Sequence, residues 1–277
     1  MSSTYATRRS FDIGRVLQRI FGSLGRNLVV FGSPVLLVWI GFSLLQLVLR
    51  AGLGGYTAPV AGSPRPALAV LGLVSLLFLL FEIAFTYALV VDGVVADING
   101  KTASFADSLS AGLRSLLPVA AILLIVTIAI LIGSMLLVIP GLILMVIWSV
   151  VVPAAVVERR GVFGAFSRSM ELINGNGWPV FALLIIVRLI NLAMVFAAFL
   201  LLGLMGLAMV GAGAATPASA DHLPTGLIVA SVISALLISG CFAAYIMFNA
   251  AVTAALYAEL KEIRDGFAPA DPAAVFD

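Results

Sequence analysis

Residues 116–157 read LLPVAAILLIVTIAILIGSMLLVIPGLILMVIWSVVVPAAVV, 42 positions without one Asp, Glu, Lys or Arg. A helix needs roughly 20 apolar residues to cross a hydrocarbon layer about 30 Å thick, so this run is long enough for two crossings. Within it, Pro140 removes an amide hydrogen and clashes with the preceding turn. The stretch therefore reads as two spans, about 116–138 and 141–157, folded back on each other at Pro140-Gly141. Further apolar stretches lie at about 28–49, 67–91, 179–209 and 226–257. The last two exceed 30 residues, so they must tilt, kink or project past the headgroups.

Composition leads to the same class. Of 277 residues, 62% are hydrophobic and 10% charged, against about 25% charged in a soluble domain. Too few polar residues remain to cover a water-facing surface. The expected fold is all-α: a polytopic membrane bundle of six transmembrane helices arranged as three hairpins. Of the 15 basic residues, 12 fall on one side of that arrangement, from Arg8 to Arg26, then Lys101, Arg114, Arg159, Arg160, Arg168, Lys261 and Arg264. Arg50 and Arg65 fall on the other side, and Arg188 lies inside the fifth span. Cytoplasmic loops retain Lys and Arg, so both termini are expected in the cytoplasm.

The amino-terminal stretch does not read as a cleavable signal, which would place a short apolar run soon after the first charges. Instead Ile13, Val16, Leu17, Ile20, Phe21 and Leu24 recur at helical spacing, with Arg15, Gln18, Arg19 and Arg26 mostly opposite. That is a basic amphipathic helix suited to the headgroup layer, although its Arg-rich, acid-poor character also fits a transit peptide. Residues 1–10 and 267–277 read as flexible tails around one membrane domain, 11–266.

A surface helix followed by a transmembrane hairpin recurs three times, opening at Phe11-Asp12-Ile13, Phe105-Ala106-Asp107 and Phe163-Gly164-Ala165. The hairpins end at Asp92, Glu158 and Glu259. Nine or ten positions before those acids stand Glu82, Ser149 and Asn249. At 1.5 Å per residue each lies about 15 Å deep, near the bilayer centre. Arg188 reaches the same depth in the fifth span, with Asn191 one turn further on. The expectation is an intramembrane ion pair between Glu82 and Arg188, its hydrogen bonds completed by Asn249 with Asn191 or Ser149. Such a cluster is either a structural clamp or a substrate or proton site.

The remaining polar features have plain readings. Ser231, Ala235, Ser239 and Ala243 form a small-residue stripe that lets helices pack closely. Asp221 and His222 read as a solvated loop pair, Cys241 as a buried small residue, and Trp178 as an interfacial anchor. The single cysteine excludes an intrachain disulfide, and the single histidine excludes HExxH. Gly100-Lys101-Thr102 fails as a phosphate loop because position 95 is Val rather than Gly. No cofactor, metal or nucleic-acid partner is expected.

Two runs carry a family resemblance. One is Ile139-Pro140-Gly141, Val152-Pro153, Val157-Glu158 and Phe166-Ser167-Arg168-Ser169-Met170-Glu171-Leu172-Ile173-Asn174-Gly175. The other is Leu256-Tyr257-Ala258-Glu259-Leu260-Lys261-Glu262-Ile263-Arg264-Asp265-Gly266. Together they resemble the six-span membrane domain sometimes fused to glycerophosphodiester phosphodiesterases, and its stand-alone bacterial relatives of unknown function. The likeness covers roughly 11–266, with recognisable motifs at about forty positions. It implies a bacterial inner-membrane protein of six helices; the soluble catalytic barrel of the phosphodiesterases has no counterpart here, so no catalytic residue is carried over. Within the first run, Glu158 and Arg168 stand ten residues apart and either tether the third surface helix to the fourth span or make separate headgroup contacts.

Three function classes follow. The residues favour a non-enzymatic scaffold or assembly partner, in contact with membrane lipids and with a protein partner or a second copy. The alternative is a transporter or lipid-handling protein built on the midplane polar cluster. An intramembrane enzyme is disfavoured, because the spans hold no histidine and no aspartate pair.

Overall fold

The computed structural model describes residues 10–52, 66–101, 105–211 and 225–265. Among these, all regular structure is helical: α1 (Ile13–Gly52), α2 (Pro66–Ile98), α3 (Phe105–Leu136), α4 (Val138–Ile147), α5 (Val151–Glu158), α6 (Gly161–Ile173), α7 (Gly177–Gly211) and α8 (Thr225–Asp265). In hydrocarbon every backbone group must be satisfied within the protein, which makes helices the natural spanning element. Six stretches are long and apolar enough to cross a membrane, with α4 and α5 together forming the fourth. The protein is a multi-pass helical membrane protein. Residues 1–9 of the first stretch read as a tail, all of the second, 267–277, and the Asp221–His222 pair lie outside the described residues.

Two helices form the centre. α2 packs against α1, α3, α5 and α8, while α8 packs against α1, α2, α5, α6 and α7. Their buried residues cluster at one end, Ala84–Val95 on α2 and Ala243–Leu260 on α8. Val16, Ile20 and Phe31 of α1, Val151–Val156 of α5, Leu172 of α6 and Val180–Val187 of α7 complete that core. The opposite halves are largely exposed: Leu44–Leu49, Val70–Leu77, Leu131–Ile139 and Leu192–Leu207 present most of their large apolar side chains outward. The bundle is thus closely packed at the end where its basic residues gather, and open at the other.

Several boundaries differ from expectation. The first surface helix is not separate from its span: α1 runs 40 residues through a kink at Asn27 (φ −115°, ψ 18°). There the Asn27 amide donates to the Ser23 carbonyl at 3.2 Å, a local bond that competes with the helical ladder. The second surface stretch is likewise continuous with α3. Only the third, α6, is an element of its own. It follows a sharp turn in which Arg159 (φ 53°) and Gly161 (φ 70°) both adopt the left-handed conformation.

The turn between the third and fourth spans is at Leu137, not Pro140-Gly141. Leu137 is extended (φ −159°, ψ 137°) and caps α4, so Pro140 sits in the first turn of α4. Proline is tolerated there because those amides have no intrahelical acceptor. Gly141 serves instead as the contact point: a Cβ added to it would fall 2.1 Å from Ser134 Oγ on α3.

Candidate functional site

The fourth span is interrupted halfway. Trp148-Ser149-Val150 leaves the α-helix between α4 and α5, with Val151 donating to the Trp148 carbonyl at 3.3 Å instead of continuing the ladder. Pro153 lacks the amide that would pair with Ser149. The Ile147 carbonyl, left without its helical donor, accepts the Ser169 hydroxyl of α6 at 2.7 Å. The helix expected at the surface is therefore tucked against the broken span, with Ala165, Arg168, Ser169, Leu172 and Ile173 buried.

Arg168 is the hub of that contact. Its side chain, 6% exposed, donates to Glu158 at 3.0 Å and pairs with Glu171 at 3.1 Å and with Asp265 at the end of α8. Tyr257 of α8 donates its hydroxyl to the same Glu158 oxygen at 2.8 Å, and Arg160 pairs with the other at 2.7 Å. Burial works against the Arg168 charge, but its hydrogen bonds to Glu158, Glu171 and Asp265 prevail and raise its pKa above the ordinary arginine value. The fork geometry of a guanidinium is what allows one side chain to serve three carboxylates. Glu158 and Arg168 are brought together, in a wider junction than a simple tether: it joins α5, α6 and α8.

A second junction was missed by the sequence reading. Glu259, fully buried on α8, takes Arg15 at 2.6 Å and Arg19 at 3.2 Å from α1. Arg19 also donates to Glu262 at 2.7 and 2.9 Å. The signal was present: Arg15 and Arg19 stand four apart on one helical face, and Glu259 interrupts an apolar face of α8. Asp12 caps α1 by accepting the Arg15 amide at 3.2 Å, and Arg26 pairs with Asp97 of α2 at 2.6 Å. Ion pairs thus link α1, α2, α5, α6 and α8 around one end of the bundle.

At the midplane the expected cluster is not assembled. No ion pair joins Glu82 and Arg188. Glu82 is buried on α2, 3% exposed, with Oε1 lacking a hydrogen-bond partner. Arg188 is exposed on α7, and its guanidinium contacts the Met145 sulfur of α4 at 3.6 Å. Asn191 and Asn249 pair with each other, each amide donating to the other's oxygen at 3.0 and 3.2 Å, and so clasp α7 to α8. Ser149 lies in the break of span four, its hydroxyl buried without a partner. Of the five residues, Asn191 and Asn249 are brought together, whereas Glu82, Arg188 and Ser149 are not joined to them or to one another. A charge at that depth costs about 2.5–3.5 kcal/mol on insertion scales, and neither Glu82 nor Arg188 is ion-paired to the other to offset it.

Of the small-residue stripe, Ser239 and Ala243 are buried, and the Ser239 hydroxyl meets Ser43 of α1. Trp178 is exposed at the start of α7, as an interfacial anchor would be. Two cavities of about 600 and 580 Å³ flank α8, one against α7 and one against α1, both lined almost wholly by apolar side chains. Among the described residues no group of three or more His, Cys, Asp or Glu is placed to hold a metal ion. No curated protein and no solved structure matches the chain. Residues 127–260, from the middle of α3 to the second junction on α8, match a family model described as a domain of unknown function, DUF7847.

Proposed function

We propose that the protein is a non-enzymatic scaffold of a bacterial inner membrane, with both termini cytoplasmic and its six spans arranged as three hairpins. The observation that carries this reading is the double ion-paired junction, in which Arg168 and Glu259 bind α1, α5, α6 and α8 into one block. Such a block presents a fixed surface at the basic end, which positive-inside bias directs to the cytoplasm. α6, with Phe163 and Met170 exposed on the face opposite its buried residues, is the amphipathic segment of the third repeat and the part of the block best placed to meet a partner or the headgroups. The resemblance to the membrane domain associated with glycerophosphodiester phosphodiesterases agrees with a role that needs no catalytic group.

The transporter reading has less support, because Glu82, Arg188 and Asn191–Asn249 do not converge on a shared polar cavity. The two are separated by reconstitution. In proteoliposomes, the scaffold reading expects no proton or solute flux that depends on Glu82. In cells lacking the gene, it expects altered migration of membrane complexes on native gels, restored by Glu82→Gln but not by Arg168→Leu. A flux abolished by Glu82→Gln would overturn the scaffold assignment.

A further inference from the structure

Polar side chains are scarce in these spans, yet a line of them runs where α1, α2 and α8 meet. The Gln46 amide donates to Ser75, Ser43 pairs with Ser239, and the Trp39 indole donates to Thr86 at 3.2 Å. Ser75, Glu82 and Thr86 fall within about 40° of one another around α2, and Trp39, Ser43 and Gln46 within about 60° around α1. Glu82 is thus bracketed between Ser75 and Thr86, on the face that α2 turns to α1. The hydroxyls of the seam are already spent: Ser75 on the Leu71 carbonyl at 2.6 Å, Ser239 on the Ala235 carbonyl at 2.7 Å and Thr86 on the Glu82 carbonyl at 2.7 Å. Ser43 is therefore the donor to Ser239. Left over are acceptors, Gln46 Oε1 and Glu82 Oε1, both buried without a partner.

No charged side chain acts on the Glu82 carboxyl. Of the helices packed on α2, α1 has no titratable residue between Arg26 and Arg50, α3 none after Arg114 and α5 none before Glu158. On α8, only Cys241 and Tyr245 precede Tyr257, and both line the cavity on the α7 side. Tyr87, the nearest on α2 itself, stands about 140° round the helix from Glu82.

We propose that Glu82 is a proton-binding site, a carboxylic acid that keeps its proton at neutral pH and exchanges it along this seam with the side of the membrane at the open end. A carboxylate there would have neither cation nor donor, a costly state for a buried charge. The protonated acid instead supplies a donor where the seam has acceptors to spare. Toward the open end Ser43, Gln46 and Ser75 are half-buried, whereas toward the basic end Val35, Trp39, Thr86 and Leu89 are buried. The route therefore ends at Glu82, which holds a proton without passing it across the membrane.

The test reads the purified protein in nanodiscs by infrared spectroscopy. At neutral pH the carbonyl stretch of a protonated carboxyl should be present, shift in heavy water, and be lost in Glu82→Gln. N,N′-dicyclohexylcarbodiimide, an apolar reagent that adds to protonated carboxyls, should label Glu82 of the unaltered chain, read by peptide mass mapping. Gln46→Leu combined with Ser75→Ala should keep the band and slow its heavy-water shift several-fold. The assignment is overturned if Glu82→Gln removes no band, or if the reagent leaves Glu82 unlabelled. An undiminished exchange rate in the Gln46→Leu, Ser75→Ala protein would overturn the route from the open end. Loss of the band and of labelling in sodium chloride, but not in choline chloride, would make the site one for a metal cation and overturn the proton assignment.

Discussion

Arg168 is a cation with three carboxylate partners and almost no water. Removing it leaves Glu158 with only the half-exposed Arg160 and the Tyr257 hydroxyl and takes the Arg168 pair from Asp265, and breaking a buried pair from one side costs about 3–5 kcal/mol. Arg168→Leu should lower the thermal unfolding midpoint in detergent well below that of Arg160→Leu, whose side chain is half exposed. Tyr257→Phe removes only the bond to Glu158 and should cost about 1.5 kcal/mol. A group whose folded pKa stands above its unfolded one gives stability below the unfolded value and loses it as pH rises through the folded value. For Arg168 that window lies above the ordinary arginine pKa, so its contribution holds throughout the physiological range. The Asn191–Asn249 clasp admits a double-mutant cycle: Asn191→Leu and Asn249→Leu should each destabilise, with a coupling of about 1 kcal/mol. A coupling near zero would remove the clasp's role. Sequence spacing made the Glu158–Arg168 contact legible because a turn brings ten residues back on themselves. It misjudged Glu82 and Arg188, because depth along a helix says nothing about which way the helix is rotated.

The fourth span shows how an element is completed from outside itself. Its break at Trp148–Val150 leaves the Ile147 carbonyl to Ser169, and Trp148 meets Phe166 of α6 edge-on at 5.0 Å between ring centroids. Ser169→Ala should therefore cost about 1–2 kcal/mol and speed hydrogen exchange at Val150 and Val151 more than elsewhere in α5. Equal protection in the variant would show that the break is held by other contacts. At the other end of α4, Gly141→Val should force α3 and α4 apart, because the added Cβ would collide with the Ser134 backbone as well as its hydroxyl. The expected result is a lower melting temperature, with Gly177→Val, where the space is open, as the contrasting substitution. Six spans were legible from apolar length, and the existence of a turn near 140 from Pro140. The register was not: proline forbids a helix interior yet fits a first turn, so it marked the neighbourhood of Leu137 and not the residue. The break at Trp148–Val150 had a signal in Pro153, which disrupts the turn before it.

Across the whole molecule, packing falls off from one face of the membrane to the other. Spin labels at the outward-facing positions Phe21 and Phe163 should give a narrow distance distribution, since both sit on the ion-paired block. Labels at Leu44 and Leu204, on the exposed halves of α1 and α7, should give a broad one in the same bilayer. Equal widths would contradict the gradient. The gradient itself was not readable in advance, because apolar composition is uniform along each span; what differs is which apolar residues meet another helix. A body of this kind has unequal stiffness on its two sides. When the surrounding bilayer thins or thickens, helices accommodate by changing their tilt at a modest cost. Here that movement is confined to the loose half, pivoting on residues near Asn249, while the cross-linked half holds its outline and anything seated on it stays in register.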